Sequence, residues 1–168
     1  MIKNFKKIID GIKEMDLPQT EFVKFMEGIH NPFIVLIACI LSLRTNDRTT
    51  YPATLRMLKL GKTPKDFMKV TVEELEKAIY PVGFYKNKAK QIIDIATELY
   101  NNHKSIVPRE IDELIKFKGV GRKTANLVQS KGYNIPSICV DVHVHRISNR
   151  LGLCETKEPE ETEFALKN

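Results

Sequence analysis

Leu114-Ile115-Lys116-Phe117-Lys118-Gly119-Val120-Gly121-Arg122-Lys123-Thr124-Ala125 is the stretch on which the reading of the fold turns. Hydrophobic spacing predicts two short helices, over 111–117 and 122–130, separated by only four residues. Two glycines flank Val120, and a Cβ at either would obstruct a tight hairpin between the helices. Such a hairpin aims backbone N–H groups and a helix N-terminus outward, an arrangement suited to a phosphate. Val120 would plug the gap between the helices, while Lys116, Lys118 and Arg122 surround the turn with positive charge. An ordinary αα-corner with solvated lysines would use the same glycines. The basic rim and the helices on both sides together favour binding of a nucleic-acid backbone. A nucleotide P-loop is excluded, because the glycine-rich stretch is too short and follows a helix.

Immediately after the hairpin comes Lys123. A neutral amine there can attack an aldehyde-like carbon, as a Schiff-base lysine does; beside Arg122 it can equally be one more phosphate contact. Asp141 is the natural companion, following Ile138-Cys139-Val140 and preceding His143, His145 and Arg146. As a helix N-cap it would be held rigidly, and its carboxylate could stabilise positive charge on a sugar ring. A cap with no further role fits the same residue. His143-x-His145 raises a metal site with Asp141 or Cys139, but only on a strand, because helical residues two apart do not face one way. Residues 138–144 alternate as a strand would. A lone strand would leave its backbone groups unpartnered, so a helix capped by Asp141 with Val144, Ile147 and Leu151 as its buried stripe is the expectation.

The rest of the chain reads as helices. Phe5, Ile8, Ile9, Ile12 and Met15 form an opening amphipathic helix ending near Leu17-Pro18, and Phe22, Phe25, Met26 and Ile29 a short second one. Asn31-Pro32 caps a run from Phe33 to Leu43 that is apolar on nearly all sides and therefore central to the core. Arg44-Thr45-Asn46-Asp47 places a long cation at that helix's exposed end. Thr63-Pro64 and Thr71-x-x-Glu74 start two more helices, the latter with capping-box spacing. Tyr80-Pro81-Val82-Gly83-Phe84-Tyr85 is a turn whose aromatics could anchor the core or wedge into a base stack. Residues 86–100 are amphipathic again, and Glu158-Pro159-Glu160-Glu161 opens a last helix.

Hydrophobic residues make up 42% and charged residues 29% of the 168, an ordinary globular mixture. The formal charge of +6, from 27 Lys and Arg against 21 Asp and Glu, favours a polyanionic partner, although a solvated surface gives the same balance. The N-terminus has no signal-peptide core, and the longest apolar run, Phe33 to Leu41, is short of the roughly 20 residues of a membrane span. No membrane association and a cytoplasmic location are expected. The three cysteines, Cys39, Cys139 and Cys154, lie far apart, which argues against a disulfide framework.

Four motifs then stand in one order: Leu41-Ser42-Leu43-Arg44-Thr45-Asn46-Asp47, Val82-Gly83-Phe84-Tyr85-x-x-Lys88-Ala89, Gly119 to Asn126, and Val140-Asp141-Val142-His143-Val144-His145-Arg146-Ile147-Ser148-Asn149-Arg150. In these motifs, and over essentially its whole length, the chain resembles the endonuclease III family of helix-hairpin-helix DNA glycosylases. The 18-residue separation of Lys123 and Asp141 also fits. The resemblance implies an all-α fold with two helical lobes flanking a DNA cleft: a six-helix lobe over 19–135, and a second from 1–18 with 136–168. It implies a bifunctional DNA glycosylase and abasic-site lyase of base-excision repair. The partner would be double-stranded DNA carrying oxidised pyrimidines or abasic sites, bound by a nucleoid-associated monomer.

By the same resemblance Lys123 and Asp141 are catalytic. Arg44, Phe84, Lys116, Lys118, Gly119, Val120, Gly121, Arg122 and His143 are DNA-binding. Lys123 would attack C1′ of a flipped nucleotide, expel the base and form a Schiff base, with β-elimination cutting on the 3′ side. Backbone carbonyls of the hairpin can hold a monovalent cation. Lys118 stands where the family usually has Pro, and Arg44 where bacterial members commonly have Gln, at the position that fills the space left by the flipped base. A [4Fe-4S] cluster is implied for the full-length protein, but its four cysteine ligands are not among residues 1–168. These residues are therefore expected to be a fragment, with little activity alone, whose extension carries a Cys-rich loop and covers Phe164, Ala165 and Leu166. A non-catalytic helix-hairpin-helix DNA-binding module and a metallohydrolase are the alternative readings.

Overall fold

The computed structural model describes residues 5–15 and 18–167, with the side chain of Phe5 outside that set. The residues described are helical and loop, with no strand among them. They fall into two compact units, Thr20–Ser137 and a second made of Met1–Gln19 with Ile138–Asn168.

The larger unit is built around α3 (Pro32–Ser42), whose residues from Phe33 to Leu41 are all buried. Asn31 Oδ1 accepts from the amides of Phe33 and Ile34, and Pro32 occupies the first turn, where its missing N–H costs nothing. Against α3 pack α4 (Asp47–Met57), α7 (Tyr85–Asn102), α9 (Arg122–Leu127) and a π-helical turn, Val128–Gly132. A shell completes the unit: α2 (Glu21–Glu27) lies on α4, α5 (Pro64–Phe67) and α6 (Val72–Ile79) lie on α7, and α8 (Ile111–Leu114) lies on α9. Phe33 and Phe67 meet edge to face with centroids 5.6 Å apart. Both expected threonine starts are realised as capping boxes, Thr63 with Asp66 and Thr71 with Glu74. Burying each large aliphatic side chain contributes roughly 1.5–3 kcal/mol, which makes α3 the chief source of stability in this unit.

Helix α4 is absent from the sequence-based reading, which saw in 44–47 only a polar cluster at the end of the apolar helix. Asn46 Oδ1 accepts from Thr49 N at 2.9 Å and starts α4, and Thr50, Ala53, Thr54 and Met57 are its buried side. Two threonines in that stripe hid the period. Their hydroxyls return to backbone carbonyls one turn back, Thr50 to Asn46 and Thr54 to Thr50, and so can be buried without cost.

In the smaller unit α1 (Phe5–Glu14) leaves Ile12 and Met15 exposed, with Ile8 and Ile9 half-buried. The expected end near Leu17 lies outside the described residues. Helix α10 (Val142–Arg150) packs on α11 (Pro159–Lys167). Asp141 caps α10 as expected with an extended backbone of its own, and residues 138–141 belong to neither helix nor strand. The expected apolar stripe is corrected: Ile147 is half-exposed, and Ser148 is the buried residue of α10. The inward face is polar and internally satisfied. His145 Nδ1 lies 2.6 Å from Thr162 Oγ1, Asn149 Nδ2 donates to Thr156 Oγ1 at 3.1 Å, and Thr156 N donates back to Asn149 Oδ1 at 2.8 Å. With Thr162 and Glu163 buried and Phe164 half-exposed, α11 also turns its polar side inward.

Leu36→Ala, at the centre of α3, is expected to lower unfolding free energy by about 2–5 kcal/mol through lost burial and a residual cavity. Ile12→Ala, on the open side of α1, should change it by less than about 0.5 kcal/mol. Urea titration of the two variants checks the contrast.

Candidate nucleic-acid interface

The hairpin is assembled from the inside out. Leu114 and Phe117 are buried at the end of the α8 segment, and Val120 N donates to Phe117 O at 3.0 Å, which closes the turn and seats Val120 in the core. Gly119 has φ +77, a conformation that an L side chain adopts only under strain. Gln91 of α7 braces the same turn, its Nε2 donating to Lys118 O at 2.7 Å. Gly121 corrects the symmetric reading of the two glycines. Its φ is −96 and a Cβ there would meet nothing within 4 Å. Gly119 is needed for the turn itself, whereas Gly121 leaves the approach to α9 open.

Helix α9 turns Thr124 and Ala125 into the core and leaves Lys123 exposed in its first turn. Arg122 is half-buried and Lys118 exposed. Lys116 reaches Glu113 at 2.6 Å, so part of the expected basic rim is engaged within the protein. Both groups are exposed, and a pair of that kind is worth at most about 1 kcal/mol, weak enough for a phosphate to displace.

A second surface feature joins two loops distant in sequence. Arg44, following α3, and Phe84, preceding α7, have φ of 53 and 58. The Arg44 guanidinium lies 6.0 Å from the centre of the Phe84 ring, which is 62% exposed. Beneath them Lys88 is 5% exposed, and its Nζ donates to Leu41 O at 2.9 Å, to Thr45 Oγ1 at 3.1 Å and to Leu43 O. Burial pushes this ammonium down to about 8, so it is still charged at pH 7, the form with three protons for three acceptors. Sequence reasoning assigned no role to Lys88 or Gln91. The available signal for Lys88 was its place on the inward face of α7 with Ala89 and Ile92.

In the smaller unit Asp141 Oδ1 accepts from the amides of His143 and Val144, each at 3.0 Å. His143 is exposed with Nδ1 3.2 Å from Arg146 Nη2, while His145 points inward to Thr162. Helical geometry thus separates the two histidines, removing the condition on which the metal reading stood. Among the described residues no group of three or more His, Cys, Asp or Glu could hold a metal ion. A [4Fe-4S] cluster needs four thiolates. Cys39 is buried in α3, and Cys139 and Cys154 belong to the smaller unit, so these residues do not fit the cluster. The hairpin offers only oxygen donors. Lys118 O keeps a lone pair beyond the one taken by Gln91, and a carbonyl of this kind fits a monovalent cation. Among the described residues no helix is long and apolar enough to cross a membrane.

An all-helical chain with a glycine hairpin between two short helices, followed at once by an exposed lysine, defines a helix-hairpin-helix protein. Residues 37–168 match the model of the HhH-GPD superfamily of base excision DNA repair proteins. Endonuclease III of Thermotoga maritima is 45% identical over 137 residues, 82% of this chain and 64% of that protein. Endonuclease III of Bacillus subtilis is 39% identical over 158 residues, 94% of this chain and 70% of that protein. A solved trapped endonuclease III–DNA covalent intermediate, an estranged-adenine complex, is similar with a TM-score of 0.81 and 37% identity, covering 99% of this chain and 76% of that one. The chain belongs to the HhH-GPD superfamily and, within it, to the endonuclease III family. It spans about two thirds of the length of these two relatives.

The asymmetry of the hairpin glycines is measurable without a ligand. Gly119→Ala should cost at least about 1–2 kcal/mol of unfolding free energy, from a left-handed backbone for an L residue and from a Cβ 2.5 Å from Gln91 Nε2, which must shift. Gly121→Ala should cost only the few tenths of a kcal/mol expected of a weaker N-cap, up to about 1. Equal losses in chemical denaturation would refute the assignment.

Proposed function

We propose that the intact protein is a bifunctional DNA glycosylase and abasic-site lyase of base-excision repair. Its substrate is double-stranded DNA with oxidised pyrimidines or abasic sites, bound by a monomer in the cytoplasm at the nucleoid. The observation that carries this reading is the exposure of Lys123 in the first turn of α9, directly behind a hairpin that keeps its backbone open at Gly121. The trapped covalent complex formed by a relative supports the covalent chemistry.

Phosphates on either side of the lesion meet the backbone at Gly119 to Gly121 and the cations Lys116, Lys118 and Arg122. These contacts position the strand without reading its sequence. A monovalent cation on the Lys118 carbonyl would add positive charge facing a phosphate. The damaged nucleotide leaves the stack, most cheaply where pairing is already poor. Arg44 fills the space it vacates, and Phe84 wedges beside it. Lys123 Nζ forms a bond to C1′ through its lone pair as the glycosidic bond breaks, the bonding electrons leave with the base, and a proton given up by Nζ goes to the base. Opening of the sugar ring, with the C1′–O4′ bond breaking and the remaining Nζ proton passing to O4′, leaves an imine between Nζ and C1′. Loss of a C2′ proton then expels the 3′ phosphate and cuts the strand. Asp141, fixed by its two amide donors, stabilises positive charge on the sugar and takes part in the proton transfers. His143 lies exposed in the first turn of α10 as a further phosphate contact.

Lys123→Ala should abolish cutting of an abasic-site duplex while leaving its affinity within about tenfold, because lysine is one cation among several at the backbone but the sole nucleophile. Gel assays of cutting and fluorescence anisotropy separate the two effects. Undiminished cutting would show that Lys123 is not the nucleophile, whereas no cutting by the unaltered protein would reduce it to a binding module. Asp141→Asn keeps an N-cap oxygen for the same amides. It is expected to preserve the melting temperature and slow base removal by orders of magnitude in single-turnover assays. A normal rate would return Asp141 to a purely structural role.

A further inference from the structure

The contacts of Lys88 have a consequence for the two surface residues above it. Residue 44 and residue 84 both sit in the left-handed region, where a non-glycine residue pays about 1–2 kcal/mol, and such strain persists only where the surroundings impose it. The bonds that impose it converge on one ammonium and one hydroxyl. Lys88 Nζ takes the carbonyls of Leu41 and Leu43, on either side of Ser42 at the end of α3. Thr45 Oγ1 accepts from Lys88 Nζ and from Gly83 N at 3.2 Å, and donates to Leu43 O at 3.4 Å. A Cβ on Gly83 would stand 2.9 Å from Arg44 O, so the two loops touch backbone to backbone. Lys88 N in turn donates to Phe84 O at 3.0 Å, one helical turn back. Arg44 and Phe84 therefore hang from a common anchor.

We propose that Lys88 is a positioning residue that locks the 41–45 and 83–88 segments into one rigid piece and so presents Arg44 and Phe84 together for entry into the duplex. The inference rests on the reading that those two side chains enter the DNA. Lys88 touches neither substrate nor reacting atoms; it acts through Arg44 and Phe84. Removing it frees three buried or half-buried acceptors and lets both strained residues relax to ordinary backbone angles. The hairpin and Lys123, held by other contacts, stay as they are.

The test uses the intact protein and a duplex in which 2-aminopurine stands opposite a reduced abasic site, so that its fluorescence rises when the base is estranged. Lys88→Met, with a stem of similar length and no donor, is expected to lose most of that rise. Its affinity should fall by less than about tenfold, because the phosphate contacts are untouched. In an Arg44→Ala/Phe84→Ala background, adding Lys88→Met should change the signal no further, as required of residues acting through one another. In the free protein, amide exchange at Thr45 and Gly83 should quicken. Thr45→Val removes the shared hydroxyl but leaves both carbonyls on Lys88. It should give the same pattern in milder form, and it decides the matter should Lys88→Met fail to fold. A full rise in a folded Lys88→Met protein, or a loss that adds to that of Arg44→Ala/Phe84→Ala, overturns the proposal. No rise with the unaltered protein overturns the underlying reading of Arg44 and Phe84, and the proposal with it.

Discussion

A helix buried on nearly every face must give its last carbonyls to something other than water; α3 gives that of Leu41 to Lys88, which also takes the carbonyl of Leu43 just beyond the helix. An unpaired carbonyl in that position would cost a few kcal/mol, and an unpaired ammonium more. Joined, they satisfy one another and fix where the chain leaves the core. The path of the chain out of the core depends on this junction. Inside it, α3 supplies the surface on which α4, α7, α9 and the π-helical turn are laid; outside it, the same bonds set the backbone of two exposed loops. A stability device and a surface device are thus built from one side chain.

The two units are stabilised differently. In the larger one, apolar burial dominates, and the buried hydroxyls of Thr50 and Thr54 bond one turn back along their own segment, while Lys88 reaches across to another. The smaller one relies on a ring of side-chain hydrogen bonds among His145, Asn149, Thr156 and Thr162, while Ile147 and Phe164 stay half-exposed. Each member of such a ring is needed to satisfy the others, so single deletions there cost more than their number of bonds suggests.

That difference explains what the sequence could and could not disclose. The α3 run, the two threonine-capped helices and the Gly119–Gly121 hairpin were legible because apolar spacing, caps and glycines state their roles locally. Asp141 was legible as a cap because a strand over 138–144 would have had no partner. Helix α4 was not, since its buried stripe is half threonine and only the returned hydroxyl bonds make that acceptable. Ile147 was assigned to a core that is in fact polar, because periodicity reports which side turns inward only when apolar residues fill it. Gly121 looked equivalent to Gly119 until backbone angles distinguished a residue that needs glycine from one that keeps a path open. Lys88 and Gln91 act on residues far away in sequence, Leu41 to Thr45 and Lys118; the inward place of Lys88 on α7 marks it as buried but does not name its partners.

In the proposed mechanism Lys123 is the group that bonds covalently to DNA. The most direct measurement is borohydride reduction of the intact protein on a duplex with a single abasic site, followed by proteolysis and peptide mass spectrometry of the cross-linked product. The adduct is predicted on the peptide containing Lys123, at its Nζ. An adduct on a different lysine or on the N-terminal amine, or none from protein that demonstrably binds the duplex, would contradict it.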